Sequence, residues 1–200
     1  MQAQFYHWGP LLFHARLTKD ELKKLKKIIL KEKSHHKKLA GINTGQFIFK
    51  DKEKIKFTNI IHPYLKEFIE VHKFYFNHYN AKNFYIDMID VWSNFMRPGD
   101  ANPIHIHQNC DWSSVLYIDI PAKLRKEQER FEGTGCGPGG ISFLTGGHIN
   151  GFVNLHYFKP KNGDFFIFPK ELYHYVAPFK AECTRVSLAA NFYFREQEIK

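Results

Sequence analysis

No stretch of this 200-residue chain approaches the roughly 18 consecutive apolar residues a membrane-spanning helix needs. Residues 1–10 also lack the basic region and apolar core of a secretory leader, so the expectation is a soluble, cytoplasmic protein with no membrane partner. Cysteine is scarce. Cys110, Cys136 and Cys183 are odd in number and form no CxxC pair, which excludes a disulfide scaffold and fits free thiols in a reducing compartment. The glycine run over 133–140 lacks the Lys-Ser/Thr of a phosphate-binding loop and the strand that precedes a dinucleotide-binding turn. It reads instead as a mobile loop over a site entrance. No repeat or linker divides the chain, which is expected to form a single domain over 1–200, with helical support over about 1–82 and a β-rich core over about 84–195.

What the chain does contain is aromatic surface and positive charge. Hydrophobic residues make up 44% and aromatic residues 16%, enough for one sizeable core filled by large side chains. The net charge of +9 is concentrated at Lys19, Lys23, Lys24, Lys26, Lys27, Lys31, Lys33, Lys37 and Lys38. Thr18-Lys19-Asp20-Glu21 is a capping box, and Leu22, Leu25 and Ile29 share one helical face opposite the lysines. The charge is therefore read as the solvated face of an amphipathic helix. Nucleic acid is a partner the sign permits and nothing else favours, since no zinc finger or other DNA-binding module accompanies it.

The chemistry lies further along. His105 and His107 are two apart, and on a strand residues i and i+2 face the same side. His174 follows 67 residues after His107 and can supply a third imidazole from a distant strand, which suits a metal with open positions. Asn162-Gly163 is a turn signal, and Phe165 to Phe168 form a short buried-strand run before Pro169. From Arg185 the chain alternates with period two, placing Arg185, Ser187, Ala189 and Asn191 on one face and Val186, Leu188, Ala190 and Phe192 on the other. A buried guanidinium on the first face needs an anion. Further strands are expected at residues 9–13, 84–92, 113–120 and 152–158. A helix is expected over 60–79, with Leu65, Phe68, Ile69, His72 and Phe76 inward, and residues 123–132 are a charged, helix-capable patch.

At His105-Ile106-His107-Gln108-Asn109, Ser113 to Tyr117, Gly163 to His174 and Arg185-Val186-Ser187 through Asn191, the chain resembles the Fe(II)- and 2-oxoglutarate-dependent oxygenases over about residues 84–194. Trp92-x-Asn94 adds to the likeness. The resemblance implies an α+β, mainly β fold, a double-stranded β-helix or jelly-roll barrel buttressed by N-terminal helices. It implies Fe(II), 2-oxoglutarate and O2, with His105, His107 and His174 on the metal and Arg185 with Ser187 on the co-substrate. The implied activity is a dioxygenase that decarboxylates 2-oxoglutarate to succinate and hydroxylates a small molecule or side chain. Arginine suits a far carboxylate because its fork donates two parallel charge-assisted hydrogen bonds.

One position departs from the family pattern of His-x-Asp and a distal His: His107 stands where the Asp is usual. Either His107 takes the place of the carboxylate, or it turns away and Asp111 or water completes the shell. The runner-up is a three-histidine cupin dioxygenase acting on a small molecule without 2-oxoglutarate. Gly99, His105-x-His107 and Asp111 approach one cupin motif, and Gly163, Pro169 and His174 approach another, although Glu171 stands where a glycine is expected. Arg185-x-Ser187 is the feature a cupin does not require. A barrel kept only as a binding module is the third reading. The remaining histidines, His156 included, read as structural.

Overall fold

The computed structural model describes residues 3–7, 9–29, 45–76, 84–146 and 153–196. In chain order, β1 (Ala3–His7) and β2 (Leu11–Arg16) precede α1 (Lys19–Lys26), β3 (Gln46–Ile48) and α2 (Asp51–Phe76). Then come β4 (Phe84–Met96), β5 (Asn102–His105), β6 (Trp112–Asp119) and α3 (Ala122–Glu129). The chain continues through β7 (Ile141–Gly146), β8 (Val153–Phe158), β9 (Asp164–Pro169), β10 (Tyr173–Val176) and β11 (Arg185–Glu196). The fold is mainly β, as expected. Seven strands form one antiparallel sheet in the order β1-β2-β9-β6-β11-β4-β3, and four form a second in the order β5-β10-β7-β8.

Two apolar clusters hold three layers together. Phe57, Ile61, Leu65, Phe68 and Ile69 of α2, with Leu25 of α1, pack on one face of the larger sheet against Phe13, Phe165, Leu188, Ala190 and Phe192. The opposite face carries Leu12, Met96, Tyr117, Phe166 and Phe168 against Ile141, Phe143 and Val176 of the smaller sheet. The period-two alternation produces this division: the even residues of β11 face the helices, and Arg185, Ser187 and Ala189 face the second sheet. Tyr117, whose direction the sequence leaves open, points inward.

Several elements differ from the sequence expectation. The strand expected over 9–13 starts only at Leu11, as β2, and lies inside β1, which forms the edge of the sheet. Helix α2 begins at Asp51, nine residues earlier than expected, and runs through Pro63. Its inward face keeps Leu65, Phe68, Ile69 and His72 buried, while the expected end at 77–79 lies outside the described residues. Strand β4 continues four residues past Trp92 because β11 pairs with it all the way to Met96. In α1 the capping box forms, with the Thr18 N–H donating to Glu21 Oε2 at 2.8 Å, and Lys19, Lys23, Lys24, Lys26 and Lys27 are exposed. Lys31, Lys33, Lys37 and Lys38 lie outside the described residues. No helix among the described residues is long and apolar enough to cross a membrane.

Candidate functional site

His105 and His174 are cross-strand partners in the β5–β10 pair, so the register of the small sheet sets two imidazoles side by side with ring centroids 4.2 Å apart. His107 lies beyond the end of β5, not on the same strand as His105. Its backbone N–H donates to the Lys170 carbonyl at 3.0 Å, and this bond turns the irregular segment back over the cavity. The His107 Nε2 comes to 3.2 Å from His174 Nε2, and the ligand-capable atoms of all three histidines lie within 4.8 Å of one another.

Their protonation suits ligation. Burial holds the His174 imidazole well below its ordinary range, aided by the two neighbouring histidines. Burial likewise depresses His107 to about 3 and lowers His105 despite the bond to Pro103. Neutral rings keep a free lone pair. The ring nitrogens Nδ1 of His105 and His174 lie 2.7 and 2.8 Å from the carbonyls of Pro103 and Leu172, which orients Nε2 of each toward the cluster. This donor set fits a divalent ion that leaves positions open for other ligands. Asp111 stands outside it, its carboxylate 4.0 Å from Lys170 Nζ.

The cavity around the cluster has a volume of about 360 Å3 and is lined by both sheets, with Asp90, Trp92 and Asn94 from β4 and Arg185, Ser187 and Asn191 from β11 among its walls. Arg185 is 1% exposed. Its Nη1 donates to the Gly139 carbonyl at 2.9 Å and its Nη2 to Met96 Sδ at 2.7 Å, its Nε finds no partner, and its guanidinium carbon sits 5.1 Å from the Tyr117 ring centroid. No carboxylate of the described residues pairs with it. A fully buried cation whose acceptors are one carbonyl and one thioether calls for an anionic ligand.

The glycine run is no lid. Gly137, Gly139 and Gly140 are buried, Gly139 adopts φ +63° so that its carbonyl meets Arg185, and the Ala177 N–H donates to Gly140 O at 3.0 Å. The segment backs Arg185 through the Gly139 carbonyl and does not line the cavity, whereas exposed Gln108 and Asn109 do. Asn109 has φ 57°, a left-handed conformation that asparagine tolerates better than most residues. Cys110 is buried beside this segment with its thiol pushed up to about 11, chiefly by burial, and does not line the cavity. Asp90 and Gln46 are lining residues that the motifs alone do not reveal. Extending the alternation of Trp92-x-Asn94 one step back along β4 would have found Asp90.

Residues 90–191, just over half of the chain, match the family described as "Putative 2OG-Fe(II) oxygenase". The chain belongs to this 2-oxoglutarate and Fe(II) oxygenase family. Its members use Fe(II), 2-oxoglutarate and O2. Among solved structures, a Pseudomonas putida prolyl-4-hydroxylase shares 13% identity with a TM-score of 0.54, covering 93% of this chain and 92% of its own. A Trichoplax adhaerens prolyl hydroxylase, in complex with a hypoxia inducible factor oxygen degradation domain peptide fragment, shares 11% identity with a TM-score of 0.55 over 90% of this chain and 82% of its own. A viral collagen prolyl hydroxylase from Paramecium bursaria Chlorella virus-1, in a 2-oxoglutarate complex, shares 15% identity with a TM-score of 0.50 over 90% and 94%. At these identities the likeness is one of fold. No curated protein matches the sequence.

Proposed function

We propose that the protein is an Fe(II)- and 2-oxoglutarate-dependent dioxygenase whose metal is held by His105, His107 and His174, and whose co-substrate is received by Arg185 with Ser187. The two facing sheets are read as a double-stranded β-helix within one domain over 1–200, supported by α1 and α2. The observation that carries the reading is the presence, in one cavity, of three neutral imidazoles and a buried guanidinium without a carboxylate partner. When bound, iron supplies the conversion of 2-oxoglutarate, O2 and a C–H bond to succinate, carbon dioxide and an alcohol.

The chain's own residues do the positioning. The Pro103 and Leu172 carbonyls fix the faces of His105 and His174, so those rings need no reorganisation on metal binding. Gly139 and Met96 occupy one N–H on each terminal nitrogen of Arg185, leaving Nε–H and the remaining Nη protons for a carboxylate. Phe168 and Trp92 flank His107 with ring centroids 6.2 and 6.1 Å away. The cupin alternative has no use for a buried arginine in this place. The prolyl hydroxylase likeness supports a peptide or amino-acid side chain as one class of substrate.

Two measurements test the proposal. Aerobic protein with Fe(II) should convert 2-oxoglutarate to succinate, which a pure binding module would not. Anaerobic protein should be stabilised further by 2-oxoglutarate only when a divalent metal is present; stabilisation by metal with no response to 2-oxoglutarate would transfer the assignment to the cupin reading.

A further inference from the structure

The cavity wall carries one charged group that the reading above leaves without a role, the carboxylate of Asp90. Asp90 is the partner of Asn191 in the β4–β11 pair, on the same face of β4 as Trp92, and all three line the cavity. The register of this pair shifts between Asn191 and Phe192, an irregularity of the kind that re-aims side chains beside active sites. No cation of the described residues pairs with Asp90. Lys54, near the start of α2, donates to the Ile89 carbonyl at 3.4 Å and sits 3.3 Å from Asp51 instead. Beside Asp90, Asn191 Oδ1 is buried with no hydrogen-bond partner.

A carboxylate, a partnerless amide oxygen and an indole therefore share one end of the cavity. Carboxylate and amide oxygens accept hydrogen bonds, and an indole face attracts cations, so this end calls for a positively charged donor. Arg185 stands at the other end. Six residues separate it from Asn191 along β11, roughly 20 Å at about 3.3 Å per residue, so Asp90 does not compete with the group that Arg185 holds. On a chain of net charge +9, a lone carboxylate in the cavity is also the local exception to the overall field.

We infer that Asp90 selects a substrate bearing a cationic nitrogen, a primary ammonium or a guanidinium, and docks it at the end of the cavity remote from Arg185. This inference rests on the oxygenase reading and specifies its substrate class. Asp90 acts as a specificity residue: it fixes the charged end so that a carbon further along the substrate lies before the histidine cluster.

The test uses the full chain with Fe(II) and 2-oxoglutarate, measuring how far matched probes raise succinate formation. The probes are free lysine, free arginine, spermidine, a lysine-containing peptide, and the same peptide with its lysine acetylated or replaced by glutamate. At least one cationic probe should exceed the uncharged and acidic peptides by about tenfold or more, the scale of a charge-assisted hydrogen bond. Asp90→Asn should bring that preference close to unity while 2-oxoglutarate still stabilises the metal-loaded protein. Response to the free compounds alone assigns a metabolite, and response to the lysine peptide alone assigns a polypeptide side chain. Equal or better stimulation by the acetylated or acidic peptide, no stimulation by any cationic probe in protein that binds 2-oxoglutarate, or an unchanged preference in Asp90→Asn overturns the inference. Wild-type protein that shows no metal-dependent 2-oxoglutarate stabilisation overturns the oxygenase reading itself, and the two failures are thereby distinguished.

Discussion

Arg185→Lys is the sharpest perturbation of the end of the cavity proposed to receive 2-oxoglutarate. Lysine keeps one positive charge in the buried position but replaces the planar fork with a single ammonium, whose three donors must serve Gly139 O before any ligand. At least two charge-assisted hydrogen bonds to a carboxylate are lost or misaligned, each worth about 1.5–3 kcal/mol, against which the retained charge recovers part. The net loss is about 3 kcal/mol, or a factor on the order of 100 in affinity. At a 2-oxoglutarate concentration of about 100 times the wild-type Kd, ligand stabilisation of the wild type is about 2.7 kcal/mol. In the variant the same concentration only matches its Kd and yields about 0.4 kcal/mol. For a chain of this size the corresponding rise in Tm falls from about 5–10 °C to about 1 °C. Anaerobic thermal denaturation with Mn(II), with and without 2-oxoglutarate, reads both values, and the shift produced by Mn(II) alone controls for folding. An undiminished 2-oxoglutarate shift in a variant that still responds to metal would refute the assignment of Arg185.

His107→Ala should weaken Mn(II) or Co(II) binding by more than the roughly 10–100-fold typical of losing an outer-shell partner, as read by calorimetric titration; unchanged affinity would remove His107 from the ligand set. Asp164→Asn should destabilise the fold by about 1–3 kcal/mol in urea at neutral pH, because the neutral amide keeps only one of the two acceptor oxygens that take the bonds from Arg16 Nη2 at 2.7 Å and the Lys161 N–H at 2.7 Å. Burial alone would raise the Asp164 pKa, but the bonds from His14, Lys161 and Arg16 outweigh it and hold the group below its ordinary value. A depressed folded-state pKa means the contribution is fully present above about 4 and is lost as pH falls through that lower value, so the gap between wild type and variant should close only in acid. Gly140→Ala should cost about 1–3 kcal/mol and also weaken 2-oxoglutarate binding, since a Cβ there would collide with the Cys136 carbonyl in the segment that carries Gly139.

The parts of the fold legible in the sequence are those where one period dominates. Strand β11 could be read residue by residue because both its faces are buried against different layers, and Phe165 to Phe168 sit within β9 because a continuous apolar run between turn signals has few other fates. His105, His174 and Arg185 could be singled out because their spacing matches a motif, and the structure places all three in one cavity. The placement of His107 was less legible: β5 is only four residues long, so strand periodicity does not reach it, and the Lys170 carbonyl decides where it goes. The start of α2 was hidden because Asp51 to Asn59 is mostly charged and polar, and Pro63 suggests a boundary that tertiary packing overrides. The glycine run misled for a different reason. Flexibility in the unfolded chain does not imply mobility in the folded one: the left-handed conformations at 137 and 139 let the segment pack tightly against Phe131, Leu124 and Phe179.

The two sides of the histidine cluster are not held with equal firmness. His174 sits on β10, flanked by β5 and β7, whereas His105 sits on the edge strand β5, whose pairing to β10 has two matched positions with an irregular register between them. Edge strands with so little pairing open by local fluctuation long before the whole molecule unfolds. An ion gripping both histidines would close a loop of roughly 70 residues and act as a covalent staple does, withdrawing freedom from the open states. Amide hydrogens of β5 should therefore exchange quickly in metal-free protein and slow markedly on metal addition, while those of β10 and β11 change little. Loading the centre would then also complete the small sheet, and the chain would carry the record of its metal content in the amide exchange rates of Asn102, Ile104 and His105.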